Sequence, residues 1–235
     1  MILDVSNLHA GYGQIQVLRG VSLHVNKGEI VSVLGANGAG KTTTLRAISG
    51  LIKSTKGSTT FNGVGITNIQ PDVIVKRGLI QVPEGRQLFS EMSVLENLEL
   101  GAFAKKVRKN AKKNLEFCFE LFPILKERID QKVGTMSGGQ QQMVAIARSL
   151  MSEPELLILD EPSIGLSPLL TEQVFDIVKE IKETGISILL VEQNVERALS
   201  FSDRGYVLEN GEVVMEGRAE ELLDNEELRK AYLGM

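Results

Sequence analysis

The chain is poor in the residues that form disulfides, hold metal clusters or cross membranes. Its 235 residues contain one cysteine, two histidines and no tryptophan. The single cysteine, Cys118, excludes a disulfide framework and a cysteine-based zinc cluster, and two histidines argue against a multi-histidine metal site. The longest apolar runs are four to five residues, far short of the roughly 20 that a membrane helix needs. No basic segment followed by an apolar one marks a signal peptide.

Charge is nearly balanced and slightly acidic. There are 26 lysines and arginines against 30 aspartates and glutamates, a net charge of −4. Because nucleic-acid-binding domains are usually basic, we expect no nucleic-acid partner. A length of 235 residues with 43% hydrophobic residues suits one or two globular domains with a real core. The composition therefore predicts a soluble, globular and cytoplasmic chain.

Short apolar runs alternate with segments of helical period, which is typical of an α/β fold with a mostly parallel sheet. Residues 29–34, 156–159 and 187–191 are predicted as buried strands, with a helix between the last two. Alternating apolar residues over positions 1–25 predict antiparallel strands. Asn210-Gly211 separates two strand-like runs, which predicts a hairpin near the C-terminus.

A glycine-rich stretch follows the first strand predicted for the parallel sheet. Residues 35–42, Gly-Ala-Asn-Gly-Ala-Gly-Lys-Thr, match the pattern G-x-x-x-x-G-K-[ST]. Small residues let the backbone wrap around a polyphosphate, and its N–H groups form an anion site with the following helix N-terminus. Lys41 can reach the β- and γ-phosphates, and the Thr42 hydroxyl can bind Mg²⁺. The predicted phosphate contacts are Gly35, Ala36, Asn37, Gly38, Ala39, Gly40, Lys41, Thr42 and Thr43.

A second apolar strand ends in two acids, Asp160 and Glu161. Asp160 at the strand tip can hold Mg²⁺, directly or through water, opposite Thr42. Glu161 can accept a proton from an attacking water, a role that contributes about 10²–10⁴ in rate. Two acids after a strand also occur in ordinary solvated turns. The phosphate loop earlier in the chain favours the catalytic interpretation.

Ser137-Gly-Gly-Gln140 lies between these two motifs at the start of a predicted helix. Ser137 and Gln140 have the spacing of a capping box. Gly138 and Gly139 leave backbone N–H groups uncovered at the helix N-terminus, which predicts a second anion site. The alternative is an ordinary capped helix.

The phosphate loop, Ser-Gly-Gly-Gln and strand-Asp-Glu, in this order, resemble the nucleotide-binding subunit of an ATP-binding cassette (ABC) transporter. The resemblance covers essentially the whole chain. It implies an α/β fold, a P-loop NTPase (RecA-like) core with an antiparallel β subdomain and an inserted α-helical subdomain. We expect a single ABC ATPase domain over residues 1–235. Residues 1–87 and 156–235 would form the nucleotide-binding core with its β subdomain, and residues 88–155 the helical subdomain.

The resemblance also implies roles for residues outside the three motifs. Tyr12 would stack on adenine, with an exposed strand-end aromatic as the alternative, and Val17 would pack near the ribose. Gln81 would approach Mg²⁺ and the attacking water. Gln193 stands where this family usually has a histidine, and its amide can donate to a γ-phosphate but cannot titrate. The implied catalytic residues are Lys41, Gln81, Glu161 and Gln193, and the implied metal ligands are Thr42, Gln81 and Asp160.

The ligands implied by the resemblance are ATP and Mg²⁺. In such proteins the Ser-Gly-Gly-Gln segment of one subunit covers ATP bound to the phosphate loop of another. By this resemblance Ser137, Gly138, Gly139 and Gln140 would contact nucleotide held by a second ABC ATPase subunit. The implied assembly is a homodimer or a related heterodimer, closed by ATP and opened by hydrolysis.

Three further stretches resemble one branch of the family. Residues 82–89, 161–168 and 191–194 are similar to the smaller ATP-binding subunit of high-affinity branched-chain (hydrophobic) amino-acid importers. This implies a peripheral ATPase on the cytoplasmic face of the inner membrane, bound to two transmembrane permease subunits and served indirectly by an extracytoplasmic substrate-binding protein. The alternatives are the cassette of a urea or amide importer and a soluble ABC ATPase without a transport role.

Overall fold

The computed structural model describes residues 1–233, which form two sheets and the helices around them. The larger sheet has the order β10-β9-β3-β8-β7-β6. Strands β9, β3, β8, β7 and β6 are parallel, and β10 is antiparallel to β9. Every residue of the three central strands is buried, as expected for a parallel sheet covered on both faces. The six strands of this sheet are β3 (Ile30–Leu34), β6 (Leu79–Val82), β7 (Leu156–Asp160), β8 (Ser187–Glu192), β9 (Arg204–Glu209) and β10 (Glu212–Arg218).

The smaller sheet is antiparallel and contains the two strands predicted for the N-terminal segment. Its order is β2-β1-β4-β5. The prediction omitted β4 and β5, because β4 is rich in serine, threonine and lysine and is mostly exposed, so that it lacks an apolar alternation. The bounds are β1 (Leu3–Tyr12), β2 (Ile15–Val25), β4 (Ser54–Phe61) and β5 (Val64–Gly65).

The predicted C-terminal hairpin is confirmed, and its turn contacts distant parts of the chain. Asn210 and Gly211, both with positive φ, join β9 to β10. The Gly211 N–H donates to the Ala39 carbonyl at 2.9 Å, and the Gly211 carbonyl accepts the Arg19 N–H at 2.8 Å. A Cβ at Gly211 would collide with the Val17 carbonyl. The turn therefore lies between the glycine-rich loop and β2.

Helices begin at short polar caps where the sequence predicts them. Ser93, Ser137 and Ser167 each accept a backbone N–H of the first turn, and the first two form complete capping boxes. The helices are α1 (Lys41–Ile48), α2 (Pro71–Lys76), α3 (Val94–Gly101), α4 (Lys105–Arg108), α5 (Ala111–Leu121), α6 (Pro123–Glu127), α7 (Gly138–Leu150), α8 (Pro168–Glu183), α9 (Val195–Ser200), α10 (Ala219–Leu223) and α11 (Glu226–Leu228), with a 3₁₀ turn at Val133–Thr135 and a π turn at Arg229–Leu233.

Successive residues of the buried strands face two different hydrophobic clusters. On β7, Leu157 and Leu159 join one cluster, whereas Leu156 and Ile158 join the other. The first cluster continues into helices α3, α7 and α8, and the second into the antiparallel sheet and α1. The parallel sheet is therefore a middle layer, and its carboxyl edge is left free for polar groups.

Helices α3–α7 lie in the chain between β6 and β7, although these strands are neighbours in the sheet. This placement agrees with the mostly helical segment predicted at residues 88–155. The division into a core and a helical subdomain stays a prediction, since helices and sheet share one hydrophobic cluster. Within residues 1–233, no helix is both long and apolar enough to span a membrane.

Candidate active site

The glycine-rich loop connects β3 to α1 and adopts a conformation that requires glycine at two positions. Gly35 has φ 146°, and a Cβ there would collide with the Leu208 carbonyl of β9. Gly40 has φ 108° and stands at the N-cap of α1. Both values lie in a region that L side chains rarely adopt. The loop therefore packs tightly against the sheet, with the α1 N-terminus directed into it.

Lys41 connects the loop to the acid that follows β7. Its Nζ donates to the carbonyls of Gly35 at 2.8 Å and Ala36 at 3.2 Å. The same Nζ lies 3.6 Å from Glu161 Oε1, and both side chains are less than a tenth exposed. The carboxylate of Glu161 is too far away to form a hydrogen bond with Lys41. The buried ammonium group can therefore bind a further anion.

Thr42 and Asp160 face each other across the carboxyl edge of the sheet. The Thr42 hydroxyl donates to Asp160 Oδ1 at 3.4 Å. Burial, followed by the negative charges of Glu161 and Glu84, raises the pKa of Asp160 to about 6. A cation beside Asp160 would lower this pKa again, because it would offset the negative charge of Glu161 and Glu84.

These residues suit Mg²⁺ bound together with phosphate. Within the described part of the chain, no three His, Cys, Asp or Glu side chains gather as a metal-binding cluster. Mg²⁺ usually takes only one or two carboxylates and completes its shell with phosphate oxygens and water. The Asp160 carboxylate and the Thr42 hydroxyl are hard oxygen donors of this kind.

Gln193 and Glu161 are in direct contact. Gln193 Nε2 donates to Glu161 Oε2 at 2.6 Å, from the position that directly follows β8. Glu161 has φ 49°, and its backbone N–H donates to the Val191 carbonyl at 2.9 Å. The carboxylate is thus held between Gln193 and Lys41. The Gln193 amide therefore points to this acid.

The neighbouring Glu192 is also buried and fixes the segment after the acidic pair. Its Oε1 accepts the Ser163 N–H at 3.1 Å, and its Oε2 accepts the Gln193 N–H at 3.3 Å. Burial raises the pKa of this carboxyl group, against the lowering effect of these hydrogen bonds. Sequence reasoning missed Glu192, although it ends an apolar strand as Asp160 does, because attention went to the neighbouring Gln193.

Two cavities flank the phosphate loop. One, of about 490 Å³, is lined by loop residues together with Val17, Glu161 and Gln193. The other, of about 480 Å³, is lined by Thr42, Asp160 and Gln81, so the three predicted metal ligands meet there. Gln81 Oε1 accepts the Ser49 hydroxyl at 2.6 Å.

Glu84 lines both cavities and was not singled out from the sequence. It follows the carboxyl end of β6, where polar groups of a parallel sheet usually meet ligands. Its position two residues after the short apolar run that forms β6 is the signal that could have found it. Arg46 and Ile164 line one cavity each and also went unpredicted.

Tyr12 lies at the side of the site. Its ring is 41% exposed, and its hydroxyl accepts a hydrogen bond from Arg46 Nη1 at 3.1 Å. It lines neither of the two cavities. The aromatic face is free on the surface, which is compatible both with stacking on a base and with a plain surface position.

The Ser137–Gln140 segment is built as predicted but stands apart from the phosphate loop. The Gln140 N–H donates to Ser137 Oγ at 3.4 Å, and the Ser137 N–H donates to Gln140 Oε1 at 3.1 Å. None of its four residues lines either cavity beside the phosphate loop. A Cβ on Gly139 would meet the end of the Leu170 side chain of α8, so this glycine lies against α8.

Comparison with known proteins now identifies the class of protein that this fold and site define. Residues 18–164, more than half of the chain, match the family model described as ABC transporter. The chain belongs to the ABC transporter family, as an ATP-hydrolysing cassette.

A curated relative from Pseudomonas aeruginosa, the high-affinity branched-chain amino acid transport ATP-binding protein BraG, is 45% identical and covers 99% of this chain and 100% of its own length. The crystal structure of the ADP conformation of MJ1267, an ATP-binding cassette of an ABC transporter, superimposes with a TM-score of 0.86 at 32% identity, over 100% of this chain and 99% of that one. A dimeric structure of MJ0796, a bacterial ABC transporter cassette, gives a TM-score of 0.80 at 29% identity, over 93% and 99% of the two chains.

Proposed function

We propose that this chain hydrolyses Mg²⁺-bound ATP and that hydrolysis powers the import of branched-chain amino acids through partner permeases. The contact between Lys41, Glu161 and Gln193 at the mouth of the phosphate loop carries the catalytic part. Similarity to BraG over the whole length supports the transported substrate. Such a chain acts at the cytoplasmic face of the inner membrane.

The proposed nucleotide contacts follow from the loop. Backbone N–H groups of residues 35–43 and the N-terminus of α1 bind the phosphates. A phosphate oxygen binds Lys41 Nζ on the side that Glu161 Oε1 approaches at 3.6 Å. Val17 packs beside the ribose from the cavity wall, and Tyr12 supplies an aromatic face for adenine.

Mg²⁺ would neutralise phosphate charge and would be held by Thr42, Asp160 and, from the other side of the cavity, Gln81. Glu161 takes a proton from water as its oxygen attacks the γ-phosphorus and the bond to the β-phosphate oxygen breaks. Gln193 holds the Glu161 carboxylate in place through the 2.6 Å hydrogen bond. Since an amide cannot titrate, Glu161 is the proton acceptor of this site.

A second cassette completes the site. Ser137–Gln140 presents helix N–H groups that line neither cavity of the same chain. We infer that this segment contacts ATP on the phosphate loop of a partner subunit, as supported by the similarity to a dimeric cassette structure.

The permeases require a further surface besides this dimer contact. Phe89, Leu100 and Phe103 are 39–54% exposed on and beside α3. Leu100 and Phe103 line a groove of about 450 Å³ together with Met92, Arg108 and Ala111. Exposed apolar side chains at this density are typical of a protein interface. We propose this groove as the permease contact.

Affinity capture from membranes tests the whole proposal. The Glu161→Gln chain, with ATP and Mg²⁺, should retain two multi-span permeases and a second cassette, and the reconstituted complex should import leucine, isoleucine and valine. Phe103→Asp should release the permeases and keep the second cassette. Recovery of the second cassette alone would contradict the proposed role in transport. Transport of urea in place of these amino acids would contradict the proposed substrate.

A further inference from the structure

The segment 83–89, here called the β6 loop, runs from the nucleotide cavities to the helical segment. Its Glu84 lines both cavities beside the phosphate loop. At its far end, fully buried Asn97 on α3 accepts the Phe89 N–H and donates to the Phe89 carbonyl, each at 3.0 Å. The loop is therefore fixed to β6 at one end and to α3 at the other.

Two consecutive residues in the middle of the loop have a costly backbone conformation. Arg86 has φ 64° and Gln87 has φ 46°, values that residues other than glycine rarely adopt. Arg148, near the C-terminal end of α7, donates to both of their carbonyls, at 3.1 Å and 3.0 Å respectively. One guanidinium thus holds the two residues that most need support from outside the loop.

The side chain of Arg86 reaches the opposite end of α7. Its Nε donates to Gln142 Oε1 at 3.2 Å, and its Nη1 donates to Gln141 Oε1 at 3.3 Å. The guanidinium also covers Gly138, where an added Cβ would lie 3.3 Å from Nη2. The β6 loop is therefore attached to both ends of the helix that Ser137 caps.

Gln141 extends this contact to the chain in front of the helix. Its Nε2 donates to the carbonyls of Val133 and Met136, both at 3.2 Å. Met136 directly precedes Ser137. Hydrogen bonds therefore run without a gap from Arg86 to the residue that leads into the Ser-Gly-Gly-Gln segment.

Neither of the two arginines forms an ion pair within the described part of the chain. Over residues 1–233, no carboxylate lies within ion-pair distance of Arg86 or Arg148. Their partners are amide and carbonyl oxygens in fixed positions, a task that suits the planar, multidentate guanidinium and not a lysine.

We propose that Arg86 and Arg148 are positioning residues, which couple the β6 loop to the start of α7 and so set the orientation of Ser137–Gln140 for the phosphate of a partner subunit. This inference rests on the proposed function, in which that segment contacts ATP across a dimer. A change at Gln81 or Glu84 beside the nucleotide then reaches the segment that binds the other nucleotide. The loop acts as a link between the two half-sites of one chain.

The test separates nucleotide binding from dimer formation in the Glu161→Gln background. Arg86→Ala should leave ATP affinity of the isolated chain within about twofold, because the phosphate loop is untouched. The protein concentration needed for half-maximal ATP-dependent dimerisation should rise about 10-fold or more. Arg86→Lys should behave more like Arg86→Ala than like the parent. The matched control is Arg128→Ala. This arginine is exposed between β6 and β7, and among residues 1–233 its side chain donates to Gln131 alone.

Dimerisation of Arg86→Ala at the parent's concentration would overturn the inference. Failure of the Glu161→Gln parent itself to dimerise with ATP would instead contradict the proposed function. A second experiment uses a rescue. Arg148→Ala should weaken dimerisation, and Arg148→Ala/Gln87→Gly should recover much of it, because glycine adopts the φ of residue 87 without support. Equal dimerisation of these two variants would exclude the backbone role given to Arg148.

Discussion

The phosphate loop and the start of α7 are two candidate anion-binding regions. Both lie at a helix N-terminus, but only the first is surrounded by further functional side chains of the same chain. Both place backbone N–H groups at a helix N-terminus. The first is surrounded by its own chain, with Lys41, Glu161 and Gln193 in contact around it. The second is fully capped and firmly held, yet it lines no part of the cavities beside the phosphate loop. A capped helix N-terminus that lines neither cavity of its own chain suits contact with a second chain.

Loss of the phosphate-loop lysine should have the largest effect. Lys41→Ala removes the buried ammonium beside Glu161 and should abolish ATPase activity and most ATP binding. The measurement is ATP affinity by calorimetry, with Lys53→Ala on the exposed surface as control. Unchanged ATP hydrolysis by Lys41→Ala would remove the phosphate-loop assignment.

Removal of the proton acceptor should separate binding from turnover. Glu161→Gln should lower turnover about 10²-fold or more and leave ATP binding intact, since the amide keeps the shape but not the basicity of the carboxylate. Single-turnover phosphate release measures the effect, and the exposed Glu212→Gln provides the control. This variant should form a stable dimer with ATP, so a monomer under these conditions would contradict the two-subunit site.

Complementation between two inactive variants tests the difference between the two regions directly. Lys41→Ala damages the complete region, and Gly138→Asp places a negative charge in the incomplete one. If each site combines the phosphate loop of one chain with the Ser137–Gln140 segment of the other, a mixed dimer contains one site with both defects and one intact site. The mixture should therefore show ATPase activity several-fold above either variant alone. Activity no greater than that of the separate variants would place both regions in the same site of one chain.

Substitutions at Gln193 should have a smaller effect. Gln193→Ala removes the 2.6 Å hydrogen bond to Glu161 and should slow turnover about 10-fold, whereas Gln193→His keeps a donor and should be tolerated. Steady-state kinetics with saturating ATP measure both variants. Full activity of Gln193→Ala would make this position merely structural.

The buried charge of Asp160 should also lower the free energy of unfolding at neutral pH. Burial and neighbouring carboxylates raise the pKa of Asp160 from 3.8 to about 6 in the folded chain. Because the folded state then binds a proton more tightly than the unfolded state, the stability contributed by this group falls as pH rises from about 4 to about 6. In metal-free buffer at pH 7.5, Asp160→Asn should raise the free energy of unfolding by on the order of 2 kcal/mol and lose this pH dependence. A lower melting temperature for Asp160→Asn would contradict a destabilising effect of the buried Asp160 charge.

The fold could be predicted from the sequence largely because its strongest signals are local. Continuous apolar runs mark β3, β7 and β8, and Asn210-Gly211 marks the last hairpin. The strands β4 and β5 carry no such signal. Pairing with β1, far away in the sequence, places β4, and β5 pairs with β4.

The site shows the same division. Lys41, Thr42, Asp160 and Glu161 stand in patterns whose spacing has a chemical reason, and the structure gathers them at one edge of the sheet. Glu84 and Glu192 belong to the site through their tertiary placement, and neither stands in one of the three motifs. The bonds of Arg86 and Arg148 depend on two left-handed residues that sequence reasoning had no means to foresee.

The contacts of the Asn210-Gly211 turn have a consequence for how the chain is made. The turn donates a hydrogen bond to Ala39 in the phosphate loop and accepts one from Arg19 on β2. A nascent chain on the ribosome therefore exposes its phosphate loop long before the turn that supports it has been synthesised. The N-terminal sheet and the phosphate loop can reach their final packing only when β9 and β10 have emerged, so the ability to hold nucleotide firmly should arise only after these strands are synthesised.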